Sequence, residues 1–389
     1  MALKQGESNN GDITNNNGEK NRALEIKEPA NPVPLPVMET PGADISKFMA
    51  LQGTPRRQSM EGFDPDYVDI VDYIVRVTHR IWEEKGIGLI YDTYAHNVVV
   101  HTTEGTSYGR EKVVADTAIG QAAFSDLYSP AQDVIWTGND KDGFHTSHRA
   151  IYMGTNNGYT AYGPPTHRRV ARWVIAHCFV KENRIVEEWL TRDELATVRQ
   201  LGYDEIELAR RMAAREAARG HKNLARNTLG DVDRVLGQTT PPPLPPLGPD
   251  FEPESFVRRV LHEVWNWRLL NNLQEYYWPN YEGYASTNRE LYGLGDLAGY
   301  ILSLIAAFPD LVMKVDWVGY LGDARKGYRV AVRWVIQGTH LGPGHYGDPS
   351  GKRIKLLGNT HYFIKDGKIL KEWTLFDEFA LLKQIYWPD

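Results

Sequence analysis

Cysteine is almost missing from this chain of 389 residues, in which Cys178 stands alone. A single thiol closes no intrachain disulfide and supplies no structural zinc site by itself, so a reducing compartment is expected. Long apolar runs are missing too: the best, such as Ile301 to Phe308, fall far short of the roughly 20 residues that span a bilayer. The opening stretch MALKQGESNNGDITNNNGEK lacks the apolar core of a secretory leader. Positive charge is not in excess, since 44 Lys and Arg face 50 Asp and Glu for a net charge of -6, which leaves no field to hold a polyanion. No Gly-rich phosphate loop precedes a predicted helix, so neither nucleotide chemistry nor an organic cofactor is expected. These absences point to a cytoplasmic protein with no nucleic-acid and no membrane partner.

What is present is globular material. Hydrophobic residues at 42% and charged ones at 24% suffice for more than one buried core, and the length predicts two domains or three. Residues 1–61 are rich in Asn, Gly and Glu and then in Pro (Pro29, Pro32, Pro34, Pro36, Pro41), the composition of a disordered arm. Either it has no function, or Phe48, Met49 and Leu51 dock it on a neighbouring domain or subunit. Asp64 as N-cap with Pro65 at the first helical position predicts a helix whose apolar face runs through Ile70, Ile74, Val77 and Ile81. Residues 204–252 read as a helix from Glu205 followed by a linker with six prolines between Gly237 and Pro249. Pro253 then opens another amphipathic helix.

An internal repeat governs the whole reading. Shifting residues 144–202 by 184 positions, onto 328–386, gives 18 identities in 59 positions without a gap. Arg149 falls on Arg333, Tyr162-Gly163 on Tyr346-Gly347 and His177 on His361. The closing stretches are densest: Glu188, Trp189, Asp193 and Glu194 match Glu372, Trp373, Asp377 and Glu378. Each copy, 64–203 and 253–389, reads as helix, irregular strand, second helix, three or four strands and a short closing helix, an α+β unit.

Each copy resembles the SnoaL-like branch of the nuclear transport factor 2 superfamily. The resemblance rests on the order of elements, the Tyr-Gly-x-Pro hairpin (Tyr162 to Pro165, Tyr346 to Pro349) and above all the closing Trp-x-x-x-Asp strand with its Leu/Gln-rich helix. It implies two tandem cones, each a strongly curved antiparallel sheet wrapped around helices with a pocket at its open end. Relatives include polyketide cyclases, limonene-epoxide hydrolase-like and ketosteroid isomerase-like enzymes, and non-catalytic binding or assembly domains. The outer sheet face commonly dimerises, so the copies are expected to pack as a pseudo-dimer or to form a homodimer with a second chain. In SnoaL-like cyclases an Asp at the closing strand is the general acid/base, and the carry-over lands on Asp193 and Asp377.

Strand alternation groups Trp189, Thr191 and Asp193 on one face, and Trp373, Leu375 and Asp377 likewise. If the Trp residues face the cone interior and line the substrate, the Asp residues face it as well, and desolvation would raise their pKa toward that of a useful base. The same two residues serve equally well as N-caps of the helices that follow. Arg149 and Arg333 would donate to a carbonyl or enolate oxygen if inward, or pair with Glu188 and Glu372 if outward. His101 stands where the resemblance implies a polar pocket residue, with Ala285 at the same shift in the second copy. Tyr162, Tyr346, His177 and His361 are candidate substrate contacts, the histidines alternatively satisfied core or interface residues. His145 and His148 have the spacing of a metal pair on a helix, but on a strand they point oppositely, so no metal is expected.

The leading expectation is a cofactor-independent enzyme that moves a proton on a small carbonyl-containing, polyketide-like molecule, leading to aldol-type cyclisation, isomerisation or elimination. The alternative is a non-catalytic protein whose cones bind a small ligand or serve as assembly surfaces. Cones filled by Trp and Tyr would mark the latter. The first copy is favoured as catalytic because it combines Asp193 with His101 and Arg149.

Overall fold

The computed structural model describes residues 45–223 and 244–389. The arm up to residue 44 and Pro241 to Pro243 of the linker lie outside the described residues. The strands of the first half are β1 (Tyr94–Thr102), β2 (Gly105–Tyr108), β3 (Ala131–Asn139), β4 (Gly143–Thr155), β5 (Arg169–Lys181) and β6 (Arg184–Arg192). They form one sheet in the order β2-β1-β6-β5-β4-β3. The second half repeats it with β7 (Tyr277–Ala285), β8 (Arg289–Tyr292), β9 (Val312–Asp323), β10 (Gly327–Thr339), β11 (Arg353–Lys365) and β12 (Lys368–Phe376), in the order β8-β7-β12-β11-β10-β9. The α+β reading therefore holds with two separate sheets, but each has six strands and is mixed rather than wholly antiparallel. β1 lies parallel to β6, and β7 to β12, because the chain crosses to the far edge before meandering back beside its first strand.

Eight helices matter to the site: α1 (Ser46–Met49), α2 (Ile70–Trp82), α3 (Arg110–Ala123), α4 (Glu194–Leu201), α5 (Glu205–Ala218), α6 (Pro253–Leu261), α7 (Gly293–Ala307) and α8 (Glu378–Ile385). α2 starts later than Asp64. Asp69, with extended backbone, caps it by accepting from Asp72 N at 2.8 Å, while Asp64 closes a turn on Asp66 N at 3.0 Å. α6 opens at Pro253 as expected, capped by Glu252. Phe48 and Leu51 are buried against the first core, so this end of the arm packs on the half that follows it.

The outer faces of the two sheets pack on each other. Ser147 Oγ meets His361 Nε2 at 2.8 Å, Asn359 Nδ2 donates to Thr191 Oγ1 at 3.2 Å, and Arg329 pairs with Asp133. α5 buries Leu208, Ala209 and Met212 in the core of the second half, beside α8. The repeat is offset by one residue at its first hairpin. Thr102 pairs with Gly105 across a two-residue turn, whereas Ala285 pairs with Arg289 across three residues, two of which, Thr287 and Asn288, take positive φ. His101 therefore corresponds to Tyr284, not to Ala285: the former pairs with Trp189, the latter with Thr374, while Tyr284 pairs with Trp373.

Candidate functional site

Alternation along β6 sends Glu188, Leu190 and Arg192 to the concave side of the first sheet, under α2 and α3. The neighbouring strands present His148, Ala150 and Tyr152 from β4 and Val174, Ala176 and Cys178 from β5 to the same side. Ala150 and Ala176 are too small to fill the space beneath the helices, and a cavity of about 90 Å³ remains. Its walls are mostly apolar, with Ile74, Val77 and Ile81 from α2, and a few polar groups converge on it, the usual make-up of a small-molecule site.

Glu188 is the carboxylate of this cavity. It is 7% exposed, and the only hydrogen-bond partner of its carboxylate among the described residues is the Tyr94 hydroxyl, which donates to Oε2 at 3.4 Å. Burial raises its pKa above the ordinary 4.5, with Arg192 and Tyr94 offsetting part of the rise. His148, also on the wall, is driven down to about 4 by burial and then by Arg149, so it stays neutral near pH 7. Burial pushes the Cys178 thiol up, which keeps it protonated and unreactive. A buried carboxylate of raised basicity in an apolar pocket can take a proton from carbon and return it.

In the second half the same space is filled. The cross-strand pair Ala150 and Val174 is replaced by Trp334 and Gly358. The Trp334 ring lies so close over Gly358 that a Cβ there would sit 2.1 Å from it, and its Nε1 donates to Thr360 Oγ1 at 2.9 Å. Tyr281 folds over Gly283 in the same way and donates to Glu372 at 3.1 Å. Glu372, the counterpart of Glu188, also accepts from Thr374, and burial lifts its pKa to about 6. One cone keeps a cavity here, and in the other the rings of Trp334 and Tyr281 take the equivalent space.

The profile of the SnoaL-like polyketide cyclase family matches this chain twice, over residues 73–201 and 255–385. The chain belongs to that family. Among solved structures it is similar to a proposed SnoaL-like polyketide cyclase from Jannaschia sp. CCS1, at 23% identity over 36% of this chain and 100% of that one, with a TM-score of 0.33. IdmH, a proposed polyketide cyclase from Streptomyces antibioticus, is 23% identical over 35% of this chain and 99% of its own, with a TM-score of 0.30. A proposed polyketide cyclase from Bacillus cereus ATCC 10987 is 22% identical over 39% and 95%, with a TM-score of 0.30. A comparison with curated proteins finds no match.

Within this doubled SnoaL-like chain, the residues expected on the inner wall stand mostly on the opposite face. Trp189 and Trp373 do not face the cone interiors; they face the junction between the two sheets. The Arg333 guanidinium lies 3.6 Å from the centroid of the Trp189 ring, and Arg149 reciprocally lies 3.8 Å from Trp373. Both arginines are thus outward, but stacked on indoles of the other half rather than paired with Glu188 or Glu372. His101 stacks on Trp189 at 5.2 Å and holds Glu187 through Nε2 at 2.7 Å; Tyr284 stacks on Trp373 in the matching place. His177 is fully buried between His145, Trp189 and Trp317, and His361 meets Ser147, so both are interface histidines. Tyr162 and Tyr346 donate to Glu194 and Glu378, each at 2.6 Å, bracing the hairpin to the closing helix. None of these residues lines the open cavity.

Asp193 and Asp377 are N-caps of α4 and α8, accepting from Ala196 N at 3.2 Å and Ala380 N at 2.9 Å. Asp193 is fully buried, and burial followed by Glu378 raises its pKa to about 6. Its second oxygen accepts from Thr287 N at 2.7 Å and Asn288 N at 3.1 Å across the junction. Asp193→Ala is expected to cost at least about 1–2 kcal/mol through the lost cap, with the bonds from Thr287 and Asn288 lost beside it, read as a lower denaturation midpoint, while any turnover by the first half is expected to persist. Loss of turnover with unchanged stability would return Asp193 to the catalytic role.

Two features of the cavity escape the sequence reading. Glu188 is visible there only as a repeat identity. Gly105-Thr106-Ser107-Tyr108-Gly109 also spells Gly-x-Ser-x-Gly and brings Ser107 to the cavity. Ser107 lies within β2 rather than on a strand-to-helix turn, and no base hydrogen-bonds it among the described residues, so it lacks the nucleophile-elbow geometry. His145 and His148 do point oppositely, toward the junction and the cavity. Among the described residues no group of three or more His, Cys, Asp or Glu could hold a metal ion, and no helix is long and apolar enough to cross a membrane.

Proposed function

We propose that the first cone is a cofactor-independent acid–base site for a small carbonyl-containing molecule, and that Glu188 is its proton carrier. The observation that carries this reading is a buried carboxylate of raised pKa on the wall of an open cavity, in a half whose counterpart is filled. The Glu188 carboxylate removes a proton from the carbon beside the carbonyl, the C–H electron pair becomes the enolate, and the neutral acid gives the proton back to carbon or to oxygen. Isomerisation, elimination or aldol-type ring closure all begin with this step. Tyr94 holds Glu188 in place, and the apolar wall keeps its basicity high. The second cone acts as a packing partner, the assembly role considered at the outset, because Trp334 and Tyr281 occupy its interior.

The test copies the filled solution into the open half. Ala150→Trp with Val174→Gly transplants the Trp334 and Gly358 pair onto the same two strands. Short ketones and keto acids in D2O are expected to take up deuterium beside the carbonyl with the natural protein and at the buffer rate with the double variant, followed by proton NMR. No exchange above buffer with any of them would sink the acid–base reading.

A further inference from the structure

Arg192 has no counterpart in the filled cone. It projects from β6 on the same face as Glu188 and lines the cavity, half-buried. Among the described residues its guanidinium makes no hydrogen bond and no ion pair, although it stands close enough to lower the pKa of Glu188 and Glu194. The equivalent residue in the second half is Phe376, 2% exposed and packed at 6.0 Å from Trp334. A guanidinium brings five donors in a rigid fork matched to a carboxylate. Withdrawing one partly from water and leaving it unpaired is unfavourable unless a ligand supplies the missing acceptor. Asp116, the other acidic residue on the cavity wall, is already neutralised by Lys112, so it does not serve as that acceptor.

Resting on the acid–base reading of the same cavity, we infer that its substrate is a short keto acid whose carboxylate pairs with Arg192 while its carbonyl end reaches Glu188. The four residue steps from Glu188 to Arg192 span roughly 13 Å along the strand, and both side chains turn into one space. The volume supports a short molecule: about 90 Å³ is smaller than the cavity of about 150 Å³ that holds a benzene ring. Near pH 7 neutral His148 adds no competing positive charge, so Arg192 alone would select the anion.

The full chain is titrated by NMR with 2-oxobutanoate and with butanone, which keeps the ketone and lacks the carboxylate. The natural protein is expected to bind the acid at least about tenfold more tightly than the ketone, the range for one charge-assisted pair. Arg192→Gln should bring that ratio to about one, and Arg192→Lys should restore part of it. Glu188→Gln should leave the ratio high while stopping deuterium exchange. Equal affinity for the two probes, no measurable binding of the acid, or a ratio unchanged by Arg192→Gln would overturn the proposal. Binding of the acid without exchange would leave it standing and remove only the acid–base reading. Thermal unfolding of each variant confirms that a lost ratio is not a lost fold.

Discussion

Glu188→Gln is expected to slow proton exchange in the first cone by about 10²- to 10⁴-fold, the usual contribution of a positioned general base. The substitution is nearly isosteric, and its amide oxygen can still accept from Tyr94. Stability should not fall, because a neutral amide escapes the desolvation that burdens the buried carboxylate. A lost rate at unchanged or raised midpoint therefore isolates chemistry from folding. The pH dependence has a definite sign. The base works only when ionised, so the rate of the natural protein should rise with pH through a midpoint above 4.5 and then level off, whereas the variant should lose that rise. Glu372→Gln is the matched control: its carboxylate lies under Tyr281 in the filled cone, and the rate should not change. Full exchange by Glu188→Gln would end the assignment of this residue.

Trp334→Ala should be the most damaging single change in the second half, at about 3–5 kcal/mol. Trp334 is 1% exposed, covers Gly358, and fills the volume that Ala150 leaves empty in the first half. Its truncation removes the ring contacts and the bond to Thr360, and opens a void lined by Phe376 and its neighbours. Urea unfolding gives the loss directly. Adding Gly358→Val, which copies Val174, should recover part of it, since Gly358 does not need a positive φ. The opened cone should also take up a small apolar guest such as benzene. A cost below about 1 kcal/mol would mean that the second half collapses around the hole, and that its interior is not held open by the sheet.

The duplication, the α+β class and the element order were legible because they depend on patterns that survive in one dimension. Gly154 and Gly338, the two Tyr-Gly-x-Pro hairpins and the matching closing strands all recur at one spacing. The face of the sheet was not legible. Alternation separates Trp189 from Glu188 but does not say which side the helices cover, and both sides of β6 mix polar with apolar residues. In an ordinary two-layer fold the Trp side would be the core. Here the outer face is buried too, against a second sheet, so the largest aromatic residues serve the junction and the inner wall keeps small ones. Ala150 and Ala176 opposite Trp334 and Thr360 were the available signal for an open first cone. The match of His101 to Ala285 failed because an ungapped shift cannot register the extra turn residue before β8.

That extra residue makes the pairing of the halves unequal. With left-handed backbone, Thr287 and Asn288 turn two N–H groups toward the carboxylate of Asp193. The two-residue turn at Thr103 and Glu104 instead brings an acid near Asp377, whose pKa is raised first by burial, then by Glu194 and by Glu104, and Lys383 answers the latter at 2.6 Å. A first half meeting a copy of itself would set Asp193 against Glu104, with Arg199, the counterpart of Lys383, already committed to Glu205. The junction therefore favours unlike halves over like ones, and the covalent link holds them at an effective concentration that dilution does not change. Stoichiometry is written into the backbone: each molecule carries one cone with this cavity and one with Trp334 in its place, in a fixed ratio that separately encoded subunits would have to reach by mass action.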